Sequence, residues 1–306
     1  MSMRAVQITA YGGPEVMVVN QVPEPEAGPG QLRVAVAATG VNPVDWKIRE
    51  GHMKDFLQVP FPFTLGNEFA GTVTALGEGV SGFAVGDAVY GSVGPIGVFA
   101  DVLTVQADAV AKAPSSLSMI EAAALPVAVV TAQAAFDAEP ITPGTRLLVH
   151  AAAGGVGSIV VQLAKALGAE VTALTSPATM DFVRGLGADH VIDRTTAYEQ
   201  AIGDFDIVLD AFGPPAQARS WGLLKPGGIL ISLVAPPDQD EAARHGVRAT
   251  MTFGAPDAAA LEKAAALADA GRLKPVIQRT YPVEEAVAAM AEVESGTVRG
   301  KIVLTY

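Results

Sequence analysis

Residues Arg146-Leu147-Leu148-Val149 read as a strand that runs directly into His150-Ala151-Ala152-Ala153-Gly154-Gly155-Val156-Gly157, and Val156 to Leu167 reads as a helix. A strand, a glycine-rich turn and a helix in this order form the setting that a dinucleotide pyrophosphate requires. Gly154 lets the backbone approach the ligand, and Gly155 and Val156, where the helix opens, are expected cofactor contacts beside it. Gly157 permits close packing of helix on strand, while the free N–H groups of the helix N-terminus face the anion. Ala152 stands where the commonest form of this turn has its first glycine, so the turn departs slightly from that form.

The end of the following strand, Glu170 to Leu174, is where a carboxylate would bind a ribose 2′-hydroxyl and repel a 2′-phosphate. The chain has Thr175-Ser176-Pro177 there, two hydroxyls and no acid. The next strand, His190 to Ile192, lies beside it in a sheet of this order, which brings Arg194 within reach of the same phosphate. NADPH is therefore expected rather than NADH, with Ser176 and Arg194 as its 2′-phosphate contacts. Ser176 before Pro177 is equally a good N-cap and first-turn pair, and the two roles are compatible.

These elements need a doubly wound parallel sheet to hold them. Asp206 to Asp210, Gly228 to Leu233 and Gly246 to Phe253 supply three further strands after Pro143-Gly144, with helical or turn material between them. Before about residue 115 the rhythm differs: short β runs such as Gln31 to Val36, Gly71 to Ala75 and Ala88 to Tyr90 are bounded by Gly and Pro. An Ala-rich helix spans Asp257 to Gly271, and the tail from Lys274 ends in the strand Lys301 to Thr305 and is expected to rejoin the first domain. The expected division is 1-115 with 275-306 as a β-rich domain and 116-274 as a nucleotide-binding domain, an α/β chain of 306 residues.

Acidic residues number 32 against 20 basic ones, a net charge of -12 with no basic block, so nucleic acid and anionic membranes are not expected partners. The absence of cysteine removes disulfides, thiolate nucleophiles and thiolate-based zinc sites, and fits a cytoplasmic location. Met1 to Val6 lack an apolar signal core, and the longest apolar stretch, Ala122 to Ala132, contains Pro126 and is too short to span a bilayer, so neither secretion nor membrane insertion is expected. The four histidines, His52, His150, His190 and His245, are scattered and read as surface or turn residues.

Five stretches together give the chain a family likeness: Gly40-Val41-Asn42-Pro43-Val44-Asp45-Trp46-Lys47, Leu65 to Gly71, Val85 to Val89, Ala151 to Gly157 with Gln162 to Lys165, and Gly187 to Asp193. The sequence resembles the medium-chain dehydrogenase/reductase superfamily, and within it the zinc-independent quinone oxidoreductase group, over nearly its whole length. The resemblance implies a GroES-like catalytic domain built from both ends of the chain, a central Rossmann domain, a cleft between them for nicotinamide and substrate, and a homodimer paired through sheet edges.

Positions that hold catalytic zinc in zinc-dependent relatives correspond to Asn42, Asn67 and Val127, none of them a thiolate or imidazole. Without a metal to polarise an alcohol, the chemistry expected is hydride transfer from NADPH to a quinone or an α,β-unsaturated carbonyl, whose oxygen needs only a hydrogen-bond donor. Lys47 is the expected donor and Asn42 the second candidate. Lys47 also reads as a surface lysine paired with Asp45 or Glu50, and Trp46 as a core residue. By resemblance, Thr131 lies near the nicotinamide ribose. Phe212, Gly213, Leu233, Val234 and Phe253 line the cofactor at carboxyl ends of strands, and Lys301 reaches the pyrophosphate. The alternatives are an enoyl-thioester reductase of the same superfamily and an NADPH-binding sensor or scaffold with negligible turnover.

Overall fold

Alternation of apolar and polar residues builds the first part of the chain. In the computed structural model, which describes residues 1–94 and 97–306, the long strand Gln31–Val41 buries Leu32, Val34, Val36 and Ala38 on one side and leaves the residues between them half-exposed. In chain order the elements up to residue 138 are β1 (Ser2–Ile8), β2 (Met17–Pro23), β3 (Gln31–Val41), α1 (Pro43–Arg49), β4 (Phe63–Thr64), β5 (Glu68–Leu76), β6 (Ala88–Ser92), β7 (Val102–Gln106), β8 (Val110–Lys112), α2 (Met119–Ala122) and α3 (Pro126–Ala138).

The middle of the chain alternates strand and helix. It comprises β9 (Arg146–Val149), α4 (Gly155–Ala166), β10 (Glu170–Thr175), α5 (Met180–Gly185), β11 (His190–Asp193), β12 (Phe205–Asp210), α6 (Pro214–Ala218), β13 (Leu224–Ser232), α7 (Gln239–Arg244) and β14 (Arg248–Met251). The tail holds α8 (Ala258–Asp269), β15 (Ile277–Pro282), α9 (Ala286–Glu294) and β16 (Lys301–Thr305).

Residue contacts group the chain into two units, Met1–Val127 with Ala255–Tyr306, and Ala128–Gly254. In the first, β2-β1-β4 form a small sheet, and β15-β16-β3-β5-β6-β8 form a larger one in which β7 also pairs with β3. The tail rejoins through β16, which pairs antiparallel with β3, setting Ile302 opposite Val41 and Val303 opposite Gly40. Val6, Ile8, Leu32, Phe69, Phe99, Ile302 and Leu304 form the heart of this unit's core. The sequence-based boundaries at 115/116 and 274/275 place α8 in the nucleotide-binding domain. The contact division at 127/128 and 254/255 places it in the first unit, because Leu261, Ala264 and Ala268 are buried and the Tyr90 hydroxyl donates to the Leu261 carbonyl at 2.5 Å.

The second unit is one parallel sheet of order β11-β10-β9-β12-β13-β14, the doubly wound arrangement expected. Successive residues of β9 serve opposite faces: Leu147 and Val149 join Val160, Val161 and Leu209, while Leu148 joins Leu174, Val208 and Leu230. Gly168, at φ 89°, supplies the left-handed residue that ends α4 before β10. Met119–Ala138 is long and apolar enough to cross a bilayer by length and composition, and Ala122 to Leu125, Val129, Val130, Ala132 and Ala135 along it are buried in protein.

Candidate active site

A parallel sheet puts all its carboxyl ends on one edge, and the second unit's candidate residues lie along that edge. The turn after β9 carries Gly154 to Gly157, the end of β10 carries Ser176, and the end of β11 carries Arg194. Phe212 and Gly213 follow β12, Leu233 and Val234 follow β13, and Phe253 follows β14. Thr131 lies in α3, whose amide at that position is closely approached by Gly254, where a Cβ would sit 2.9 Å from it.

Within the turn, Ala151 adopts φ 50° and Ala152 is fully buried, its amide donating to the Leu174 carbonyl at 3.3 Å. A Cβ on Gly157 would lie 2.3 Å from the Ala151 carbonyl oxygen, so no larger residue fits. Gly154 is the N-cap of α4 and has no side chain to cap that helix, which leaves its first N–H groups for an anion. The cradle fits a dinucleotide pyrophosphate.

At the neighbouring strand end, the Ser176 hydroxyl makes no capping bond to the backbone. It lies 3.0 Å from the Thr179 hydroxyl, which lies 2.6 Å from that of Thr175. Thr179 thus joins a three-hydroxyl cluster that its spacing three residues after Ser176 could have signalled. The Arg194 amide donates to the Thr175 carbonyl at 2.9 Å, which sets Arg194 beside this cluster, and its guanidinium lies 5.3 Å from the centre of the exposed Phe212 ring.

His150 lies in a turn, one of the two placements expected of it, but not at the surface. It is buried, 1% exposed, with Nδ1 3.2 Å from Asp210 and Nε2 3.2 Å from Ser220. Asp210 also accepts from the Phe212 and Gly213 amides, Gln217 and Ser232. Burial pushes its pKa up, but bonds from His150, Phe212, Gln217 and Gly213 outweigh that and hold the carboxyl below the usual range.

The first unit holds a second cluster. Lys301, expected to reach a pyrophosphate, is instead buried, and its ammonium binds the Glu68 carboxylate and, at 2.5 Å, Asn42 Oδ1. The reason is the register of β16 on β3, which lays Lys301 beside the end of β3 that leads to Asn42. Asn42 Nδ2 donates to Glu68 at 2.8 Å and, more weakly, to the Gly40 carbonyl at 3.4 Å, while the Val127 amide donates to the other Glu68 oxygen at 2.7 Å. Both ends of the Asn42 amide are thereby committed, so Asn42 is a link in the cluster rather than a free hydrogen-bond donor.

Asn42 also starts α1: its backbone amide donates at 2.7 Å to Asp45 Oδ2. The other Asp45 oxygen is buried without a partner among the described residues. Burial pushes the Asp45 pKa up to about 7, opposed by the Asn42 amide and by Lys301 and reinforced by Glu68.

Further along the same helix, Lys47 is half-buried, its ammonium 5.8 Å from the centre of the Trp46 ring. Neither carboxylate considered for it is its partner among the described residues: Asp45 is turned into the cluster, and Glu50 pairs with Arg49 at 2.6 Å and His52 at 3.5 Å. Trp46 packs against the core, as expected.

The positions corresponding to zinc ligands do not fit that metal. Asn42 is bonded to Lys301 and Glu68, the Asn67 side-chain carbonyl accepts from Ser92 at 3.0 Å, and Val127 contributes only its backbone N–H to Glu68. An ammonium already occupies the acidic partner. No three His, Asp or Glu side chains among the described residues form a group that would hold a metal ion.

Comparison with known proteins agrees with this architecture. Residues 28–115 match the model of the alcohol dehydrogenase GroES-like domain, and 186–304 that of the zinc-binding dehydrogenase. A 2-methylene-furan-3-one reductase of Solanum lycopersicum is 34% identical over 319 residues, covering 99% of this chain and 79% of its own. An NADPH-dependent alkenal/one oxidoreductase of Arabidopsis thaliana chloroplasts is 32% identical with the same coverage. The solved quinone oxidoreductase of Coxiella burnetii is similar over 100% of both chains, with a TM-score of 0.91 and 30% identity. Fold and site together define an oxidoreductase that joins a GroES-like unit to a Rossmann-type nicotinamide-binding unit. The chain belongs to the quinone oxidoreductase group of the medium-chain dehydrogenase/reductase superfamily.

Proposed function

We propose that this protein is an NADPH-dependent, zinc-independent reductase of quinones or α,β-unsaturated carbonyls. The observation that carries the metal-free part is the Lys301 ammonium bonded to Glu68 and Asn42, which supplies the cluster with its own positive charge. The names of the tomato, Arabidopsis and Coxiella relatives, an enone reductase, an alkenal/one oxidoreductase and a quinone oxidoreductase, support the acceptor class, and the Arabidopsis name supports NADPH.

When bound, NADPH would provide the hydride that reduces the electron-poor carbon of the acceptor. The protein then has to hold the reactants and to receive the negative charge that gathers on the acceptor oxygen. Lys47 receives that charge, because it has no carboxylate partner among the described residues and its N–H groups are free to donate to the oxygen. A proton from solvent completes the reduced product. Gly154 to Gly157 hold the pyrophosphate on uncapped amides. Ser176 and Arg194 would take the 2′-phosphate, and Thr131, Phe212, Gly213, Leu233, Val234 and Phe253 would contact the rest of the cofactor. We further propose that the enzyme is a cytoplasmic homodimer paired through sheet edges, with a small-molecule quinone or enone as substrate and neither nucleic acid nor membrane as a partner.

Turnover of NADPH with a quinone or enone after prolonged chelation tests the metal-free assignment. Unchanged activity is expected, and a loss restored by added zinc would overturn it.

A further inference from the structure

The glycine turn and the loop after β12 are separate stretches of chain, and both reach the carboxyl edge of the sheet. One buried ring touches both. His150 directly precedes the turn, and its own amide is fixed to the Leu209 carbonyl at 3.0 Å, at the end of β12. Its Nδ1 bonds Asp210, the carboxylate that receives the Phe212 and Gly213 amides at 2.9 and 3.0 Å. Its ring also lies 6.2 Å from that of Phe212, on which Arg194 in turn stacks.

An ionised carboxylate only accepts, so the Asp210 bond fixes the Nδ1–H form of the ring. The Ser220 hydroxyl, 3.2 Å from Nε2 and 2.7 Å from the Ala216 carbonyl, can turn its one proton to either. The ring is therefore fully paired whether or not Nε2 carries a proton. His150, Asp210 and Ser220 are all buried.

We infer that His150 is a positioning residue for the dinucleotide, locking the pyrophosphate turn to the loop of Phe212 and Gly213 through Asp210. The inference rests on the dinucleotide assignment proposed for this unit. Because it acts on the turn common to both nicotinamide dinucleotides, its loss weakens NADPH and NADH by a similar factor, unlike loss of Ser176 or Arg194. The bond that matters is the one from Nδ1. An asparagine places an amide N–H near Nδ1, whereas a glutamine places it near Nε2.

The experiment is a fluorescence titration of NADPH and NADH against the wild type and the His150→Leu, His150→Asn and His150→Gln variants, with folding checked by circular dichroism. His150→Leu is expected to raise both dissociation constants by about tenfold, and KM for the dinucleotide is expected to rise more than kcat falls. His150→Asn is expected to recover most of that loss and His150→Gln little of it. If His150→Leu does not fold, the comparison of Asn with Gln still decides. Equal affinities for those two, or a His150→Leu protein that binds as the wild type does, would overturn the positioning role. A wild type that binds neither dinucleotide would instead remove the cofactor assignment beneath it.

Discussion

The Lys301 ammonium and the Glu68 carboxylate form an ion pair inside the first unit, with side chains 6% and 0% exposed. Glu68 receives Asn42 Nδ2 and the Val127 amide as well, so its charge is met from three sides. Removing one member of such a pair leaves the other as an uncompensated buried charge. Lys301→Met and Glu68→Gln are each expected to cost roughly 3 to 5 kcal/mol. The double variant should cost clearly less than their sum, measured by denaturant unfolding; additive losses would mean that the two groups do not interact energetically.

Asp45 gives the first unit a pH signature. Its carboxyl goes from 3.8 in the unfolded chain to about 7 in the fold, so protonation favours the folded state. The stability from this group is full below 3.8, declines as the pH rises, and is gone above about 7. Asp45→Asn does not ionise, so its advantage over wild type should grow across that interval and level off at roughly 2 to 4 kcal/mol. Unfolding curves from about pH 5 to 8 check this, and a pH-independent difference would contradict it.

The parts of the site that are legible in the sequence are those whose meaning is local. Gly154 to Gly157, Ser176, Arg194 and Phe212 each follow a strand in the chain, and a parallel sheet gathers strand ends without further information. Lys301 and His150 escape a local reading for one shared reason: their partners are distant in sequence. Glu68 is 233 residues from Lys301, and Asp210 is 60 residues from His150. The registers of β16 and of β5 on β3, and the adjacency of β9 to β12, bring these pairs together. The helix α8 follows the same logic, since its alanines could pack on either unit and the Tyr90–Leu261 contact selects the first.

Replacing Ser176 by Asp together with Arg194→Ala puts a carboxylate where a 2′-phosphate would bind and removes a cation beside it. NADPH binding is expected to weaken at least about tenfold more than NADH binding, read from the two dissociation constants. Equal effects would exclude this strand end as the 2′-phosphate site.

Lys47→Ala removes the proposed donor to the acceptor oxygen, a side chain that belongs to the first unit. Turnover is expected to fall by about 10²-fold while the NADPH dissociation constant stays near its wild-type value. Unchanged turnover would retire Lys47 from the reaction.

Metal-free hydride transfer to a conjugated acceptor is tested most directly by following the absorbance of reduced nicotinamide when the protein is mixed with NADPH or NADH and a quinone, an enone or a saturated ketone. The expected result is oxidation of NADPH in preference to NADH, with the quinone or the enone and not with the saturated ketone. Turnover of the saturated ketone, or bound NADPH that reduces none of the three, would contradict it.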